Sequence, residues 1–91
     1  MSARVRVPTI LRTYTAGESE VTADGDTLSG VLESLDSSYP GIKARIVDEQ
    51  GALRRFVNVY VGNDDVRFLD GLDTPVAADA QISVIPAVAG G

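Results

Sequence analysis

Cysteine and histidine are both absent from this chain of 91 residues. Without cysteine there is no disulfide, no thiolate nucleophile and no thiolate ligand for zinc, and without histidine there is no imidazole base or imidazole ligand. These absences exclude most hydrolytic and redox chemistry. We therefore expect a protein that is not an enzyme and that binds no metal or cofactor of its own.

Long apolar runs and positive charge are also scarce. No run approaches the roughly 18 to 20 residues of a membrane span, and Met1 is followed by Arg4 and Arg6 rather than by the apolar stretch of a signal peptide. The net charge of -5 would repel phosphate backbones. We expect a cytoplasmic protein that binds neither membrane nor nucleic acid, and Lys43, the only lysine, makes lysine-linked chains of it a poor hypothesis.

The first third of the sequence predicts a β-hairpin. Val5 and Val7 alternate with Arg4 and Arg6, which indicates a half-buried strand over residues 4–11, although Pro8 has no N–H to give to a ladder. Residues 14–17 are typical of a turn, and residues 18–23 predict a second strand.

A helix is predicted after this hairpin, because four apolar residues recur at the i, i+3, i+4, i+7 spacing. These residues are Leu28, Val31, Leu32 and Leu35. Asp26 or Thr27 can cap the start of the helix, and residues 39–41 end it.

The remaining sequence predicts short elements. Residues 42–47 predict one further helical turn, residues 56–61 a central strand, residues 66–68 a short strand, and Ile82 and Val84 a last strand that Pro86 ends. The order of strands and helix predicts an α+β, ubiquitin-like β-grasp fold, with one main helix packed on a mixed sheet of four to five strands. Residues 1–86 form the predicted domain, and residues 87–91 a flexible C-terminal tail.

The acidic side chains give no convincing active site. The Asp24 and Asp26 pair lacks the further ligands of a calcium loop, so it is interpreted as turn and helix-cap chemistry. Asp64, Asp65 and Asp70 are interpreted as solvated loop acids.

The last two residues, Gly90 and Gly91, are the best candidate for chemistry. Glycine has no Cβ, so a glycine end can pass through a narrow channel into the active site of another protein. Val88 and Ala89 are small enough to thread behind it. The Gly91 carboxylate would then be the group that the tail delivers.

The β-grasp order with this ending resembles the sulfur-carrier family that includes ThiS, MoaD and CysO, over essentially the whole chain. Five segments of the sequence are most similar to the CysO branch of this family. They are Pro8-Thr9-Ile10-Leu11-Arg12, Arg55-Phe56-Val57-Asn58, Tyr60-Val61, Asp65-Val66-Arg67-Phe68 and Pro86-Ala87-Val88-Ala89-Gly90-Gly91.

The resemblance implies a sulfur carrier rather than an enzyme. An E1-like partner with ATP and magnesium would adenylate Gly91 and convert it to a thiocarboxylate. The carrier would then donate sulfur to an accepting synthase, which uses pyridoxal phosphate in the CysO pathway, and a metalloprotease would release cysteine. The cofactors belong to these partners, and the free carrier is expected to be a monomer.

A tail of five residues needs docking contacts from the folded domain, because ordering flexible residues costs roughly 1 to 2 kcal/mol each. Phe56, Tyr60, Phe68 and Ile85 are the hypothesis for this docking face. Other functions stay open, namely a MoaD-like small subunit of molybdopterin synthase, a ubiquitin-like protein modifier, or a plain interaction module.

Overall fold

The computed structural model describes residues 2–55 and 57–86. Two strands open the chain as an antiparallel hairpin, β1 (Ser2–Arg6) and β2 (Glu20–Asp24), with Val5 opposite Val21. Every second residue of each strand is buried, as the alternation predicts. The predicted hairpin is therefore confirmed.

The first strand ends earlier than predicted. The chain forms a 3₁₀-helix at Thr9–Leu11, where the Leu11 amide donates a hydrogen bond of 2.9 Å to the Pro8 carbonyl. Pro8 cannot donate to a ladder, and the turn brings Leu11 into the core. A strand over residues 4–11 was therefore wrong beyond Arg6.

The predicted helix is confirmed as α1 (Leu28–Ser38), and its four apolar residues are no more than 1% exposed. Thr27 is the cap, because its side-chain oxygen accepts a hydrogen bond of 3.2 Å from the Gly30 amide. The short helix α2 (Ile42–Ile46) follows, and both of its isoleucines are buried.

The second half of the chain contributes β3 (Val57–Val61), β4 (Asp64–Asp65) and β5 (Gln81–Pro86). The sheet has five strands in the order β2-β1-β5-β3-β4, with β5 parallel to β1 and antiparallel to β3. This is the predicted ubiquitin-like β-grasp: a mixed sheet with one main helix. The core lies between α1 and one face of the sheet.

The predicted strand over residues 66–68 is wrong. Those residues form a 3₁₀-helix, Val66–Phe68, in which the Asp65 carboxylate accepts a hydrogen bond of 2.8 Å from the Arg67 amide. The short strand β4 lies just before it. A third 3₁₀-helix follows at Gly71–Asp73.

Candidate functional site

The C-terminal tail continues from the middle strand of the sheet. Pro86 ends β5 and stands opposite Val57, the first residue of β3. The predicted reactive residues Gly90 and Gly91, with Val88 and Ala89, lie outside the described residues. The described part of the chain ends at Pro86, the residue from which the predicted tail would start.

Two of the predicted docking residues share the outer face of the sheet, opposite α1. Ile85 is 47% exposed and stands opposite Asn58, and Tyr60 is half-buried and stands opposite Ser83. Phe56, the third member, lies outside the described residues. The outer face thus presents Ile85 one residue before the end of β5.

Phe68, the fourth predicted docking residue, lies in a 3₁₀-helix and is 86% exposed. The neighbouring Arg67 holds this helix against the start of β3. Its Nη2 atom donates hydrogen bonds of 2.8 Å to the Arg54 carbonyl and 2.7 Å to the Val57 carbonyl. Its Nη1 atom donates to the Asn58 side chain. Because Val57 pairs with Pro86, Arg67 ties the Phe68 segment to the end of the sheet where the tail begins.

A groove lies at the same end of the sheet, and we call it the tail-exit groove. It is open, has a volume of about 420 Å³, and is lined by residues 6–10, Arg12 and residues 83–86. Ile10, in its lining, is 62% exposed. The sequence does not predict the groove, because its pattern predicts a single strand over residues 4–11.

Two further acidic side chains, like that of Asp65, accept hydrogen bonds from backbone amides. Asp36 Oδ1 accepts hydrogen bonds from the Gly41 and Lys43 amides, and Asp48 Oδ1 accepts from the Gln50 and Ala52 amides. Within residues 2–55 and 57–86, no group of three or more acidic side chains is arranged to hold a metal ion.

The same described ranges contain no helix long and apolar enough to cross a bilayer.

A helix across one face of a mixed five-stranded sheet, with a tail that continues from the middle strand, defines a ubiquitin-like β-grasp protein. The model of the ThiS family matches residues 5–91. The chain belongs to the ThiS family.

Its relatives include carriers and a modifier. The chain is 47% identical to the sulfur carrier protein CysO of Mycobacterium tuberculosis, and the alignment covers all of both chains. It is similar to a chain in the crystal structure of the Amycolatopsis orientalis BexX/CysO complex, with 47% identity, a TM-score of 0.92, and coverage of 98% and 99% of the two chains. It is also 38% identical to the small archaeal modifier protein 3 of Haloferax volcanii, over 75% of this chain and 73% of that protein.

Proposed function

We propose that this protein is a sulfur carrier, and that Gly91 is the residue that carries the sulfur. The observation that supports this most directly is the alignment with CysO, which runs through the whole of both chains. The chain is a co-substrate of partner enzymes in this proposal, not a catalyst. Its location is the cytoplasm, because the activation step needs ATP.

Activation converts the Gly91 carboxylate, which is a poor electrophile, into a reactive acyl-adenylate. A Gly91 carboxylate oxygen attacks the α-phosphorus of ATP on an E1-like partner that uses magnesium, and pyrophosphate leaves. Hydrogen sulfide then attacks the acyl-adenylate carbon, AMP leaves, and the thiocarboxylate remains on Gly91. The glycines have no side chain, so they fit a narrow channel, and their backbone groups can form hydrogen bonds with the partner. Val88 and Ala89 follow them into the active site.

The folded domain contributes the docking contacts. Tyr60, Phe68 and Ile85 present aromatic and apolar surface, and Phe56 completes the proposed set. Aromatic side chains are enriched among the residues that carry most of the energy of protein interfaces. The segment bearing Phe68 is held by the hydrogen bonds of Arg67, which reduces the entropy lost on docking.

The sulfur acceptor is a biosynthetic synthase that makes cysteine or another sulfur-containing metabolite. Pyridoxal phosphate belongs to that synthase if the product is cysteine, and a metalloprotease then releases the product. A MoaD-like role as a small subunit of molybdopterin synthase would use the same Gly91 thiocarboxylate.

A second function, a ubiquitin-like protein modifier, is favoured by the similarity to the Haloferax volcanii modifier protein. A lysine amine of a target protein would then attack the acyl carbon of the same Gly91 adenylate, AMP would leave, and an isopeptide bond would form.

The intact mass of the chain tests these proposals. We expect incubation with an E1-like enzyme, MgATP and sulfide to add the mass difference between sulfur and oxygen. A chain lacking Gly91 and a reaction without ATP are the controls, and both should keep their mass. An unchanged wild-type mass accompanied by isopeptide adducts on other proteins would refute the carrier and favour the modifier.

A further inference from the structure

The tail-exit groove arises because two neighbouring parallel strands end at different points. Arg6, the last residue of β1, stands opposite Ser83, whereas β5 continues to Pro86. Residues 84–86 therefore extend past the end of β1. Pro8 and the 3₁₀-helix Thr9–Leu11 turn the chain away from β5, and the notch between them is the groove.

The floor of this groove is apolar and its charged lining is basic. Pro8, Ile10, Ile85 and Pro86 supply apolar surface, and Arg6 and Arg12 are the two charged residues among the lining residues. The chain as a whole carries 13 acidic and 8 basic residues. A groove with two arginines and no acidic lining residue is thus opposite in charge to the protein that contains it.

The structure holds one of these arginines in place. Arg12 is half-buried, and its Nε atom donates a hydrogen bond of 3.1 Å to the Val7 carbonyl. Hydrogen bonds from its two terminal amino groups are not found within residues 2–55 and 57–86. Glu20 stands opposite Arg6 in the β1–β2 register, yet the ion pair found in these ranges is Lys43 with Glu33. Neither groove arginine therefore forms a direct ion pair with an acidic side chain of the described part.

The length of the tail limits how far a partner can lie from this groove. Residues 87–91 span at most about 18 Å when fully extended, at roughly 3.3 to 3.6 Å per residue. An active site that receives Gly91 must therefore lie within that distance of Pro86. Pro86 itself lines the groove, so a partner that receives Gly91 lies close enough to contact it.

We propose that the tail-exit groove binds an acidic segment of the protein that receives Gly91, in which Asp or Glu alternates with apolar residues. The carboxylates pair with Arg6 and Arg12, which offer the planar donor fork that suits carboxylates. The apolar side chains pack on Ile10 and Ile85. The identity of the partner rests on the proposed function, whereas the preference for this kind of segment is a property of the groove alone.

A peptide titration tests the groove without any partner enzyme. The probe is acetyl-Leu-Glu-Leu-Asp-Leu-amide, added to the full chain labelled with nitrogen-15 and followed by the amide chemical shifts. We expect shifts confined to the groove, led by Ile10, Arg12 and Ile85. The matched neutral peptide, with Gln and Asn in place of Glu and Asp, should bind at least about fivefold more weakly, because the charge-assisted hydrogen bonds are lost.

Variants separate the role of the two arginines from general charge. Arg6→Gln and Arg12→Lys should each weaken binding of the acidic peptide several-fold, and Arg55→Gln, the exposed control, should not. Equal binding of the acidic and neutral peptides, or shifts elsewhere on the sheet, would overturn the proposal. So would a several-fold gain in affinity for the acidic peptide when residues 87–91 are deleted, since this would show the chain's own tail in the groove. Groove shifts on raising the protein concentration would show a second copy there and would overturn the proposal as well.

The same arginine variants test whether the groove contributes to sulfur transfer. With the E1-like enzyme, MgATP and sulfide, the combined Arg6→Gln and Arg12→Lys substitutions should raise the KM for the carrier about tenfold and leave kcat unchanged. An unchanged KM, with wild-type chain reacting normally, overturns the groove proposal for the activating enzyme. A wild-type chain that gains no sulfur refutes the carrier function instead, and the peptide result then stands on its own.

Discussion

Two regions of this molecule use the same apolar residue types in opposite ways. Leu28 and Leu32 on α1 are completely buried against the sheet, whereas Ile10 and Phe68 near the start of the tail are 62% and 86% exposed. The first region removes apolar surface from water on folding, and the second leaves it in water, available to the partner proposed above. The hydrophobicity of a residue does not by itself tell which of the two regions it belongs to. Its position in the fold does.

The exposed region has its own means of staying ordered. Ile10 and Phe68 both lie on 3₁₀-helices, and each helix is fastened by an arginine that donates to backbone carbonyls. Arg12 donates to the Val7 carbonyl, and Arg67 donates to the carbonyls of Arg54 and Val57. Order in the core comes from packing, whereas the two 3₁₀-helices combine one buried residue each, Leu11 and Val66, with these hydrogen bonds. Substitutions in the two regions should therefore have different effects on stability and on sulfur transfer.

Leu32→Ala should give the largest loss of stability. The leucine is fully buried, so the change should lower the free energy of unfolding by about 2 to 5 kcal/mol. Urea unfolding followed by circular dichroism measures this, and Ser37→Ala on the exposed side of α1 is the control, with an effect below about 0.5 kcal/mol. The sulfur gained per folded molecule should stay the same, and a selective loss of transfer would contradict the division between the regions.

Gly25→Ala should be the next largest effect, because β2 meets α1 at this glycine. An added Cβ would lie 2.7 Å from the Gly30 carbonyl carbon and 3.0 Å from Val31 Cα. These are backbone atoms, which cannot relieve the contact by a change of rotamer. We therefore expect a loss of about 1 to 3 kcal/mol in the free energy of unfolding. Gly30→Ala is the matched control, since its Cβ would meet Gly25 Cα at an ordinary 3.5 Å. A loss as large in the control would show that the contact is not the cause.

Arg67→Lys should affect both the stability of the fold and sulfur transfer. A single ammonium cannot replace the planar fork that reaches the Arg54 and Val57 carbonyls, so we expect a loss of about 1 to 2 kcal/mol in thermal or urea unfolding. The KM for the carrier should rise several-fold, because the Phe68 segment is less well held. Arg55→Lys is the control. A KM that stays at the wild-type value while stability falls would limit Arg67 to a structural role.

Phe68→Ser should have the smallest effect on stability and a clear effect on transfer. The side chain is mostly in solvent, so the free energy of unfolding should change by less than about 0.5 kcal/mol. The KM for the activating enzyme should rise about tenfold, the effect of losing roughly 1.4 kcal/mol of binding. Ser37→Ala, an exposed substitution on α1 and so on the opposite side of the sheet, should leave the KM unaltered. An unaltered KM for Phe68→Ser would remove this residue from the docking face.

Elements with a sustained period could be predicted from the sequence. The spacing of Leu28, Val31, Leu32 and Leu35 predicts α1, because a helix with any other face inward would bury Glu33 or Ser37. The alternation in residues 57–61 and at Ile82 and Val84 predicts two interior strands, and both are confirmed.

Elements that depend on one local hydrogen bond could not be predicted in this way. Val66 and Phe68 would share a face in a strand, yet Val66 is fully buried and Phe68 exposed, because the Asp65 side chain starts a 3₁₀-helix instead. The β-forming composition of this segment gives no sign of that capping contact.

The site could be predicted only where it depends on the chain end or on side-chain type. The glycine ending and the exposed aromatic Phe68 have such signals. Arg12 and Arg67 have none, because their acceptors are backbone carbonyls whose positions only the fold determines. The role of Gly91 and the docking roles of Phe56, Tyr60, Phe68 and Ile85 remain predictions.

We expect the folded domain to bring the tail to its partner, and one comparison of two substrates tests this expectation directly. The activating enzyme is given either the full chain or a synthetic peptide of residues 86–91, and kcat/KM for thiocarboxylate formation is measured for each. If docking contacts contribute about 4 kcal/mol, the full chain should be used roughly a thousandfold better than the peptide. Equal kcat/KM values would show that the tail alone is recognised and would contradict the account.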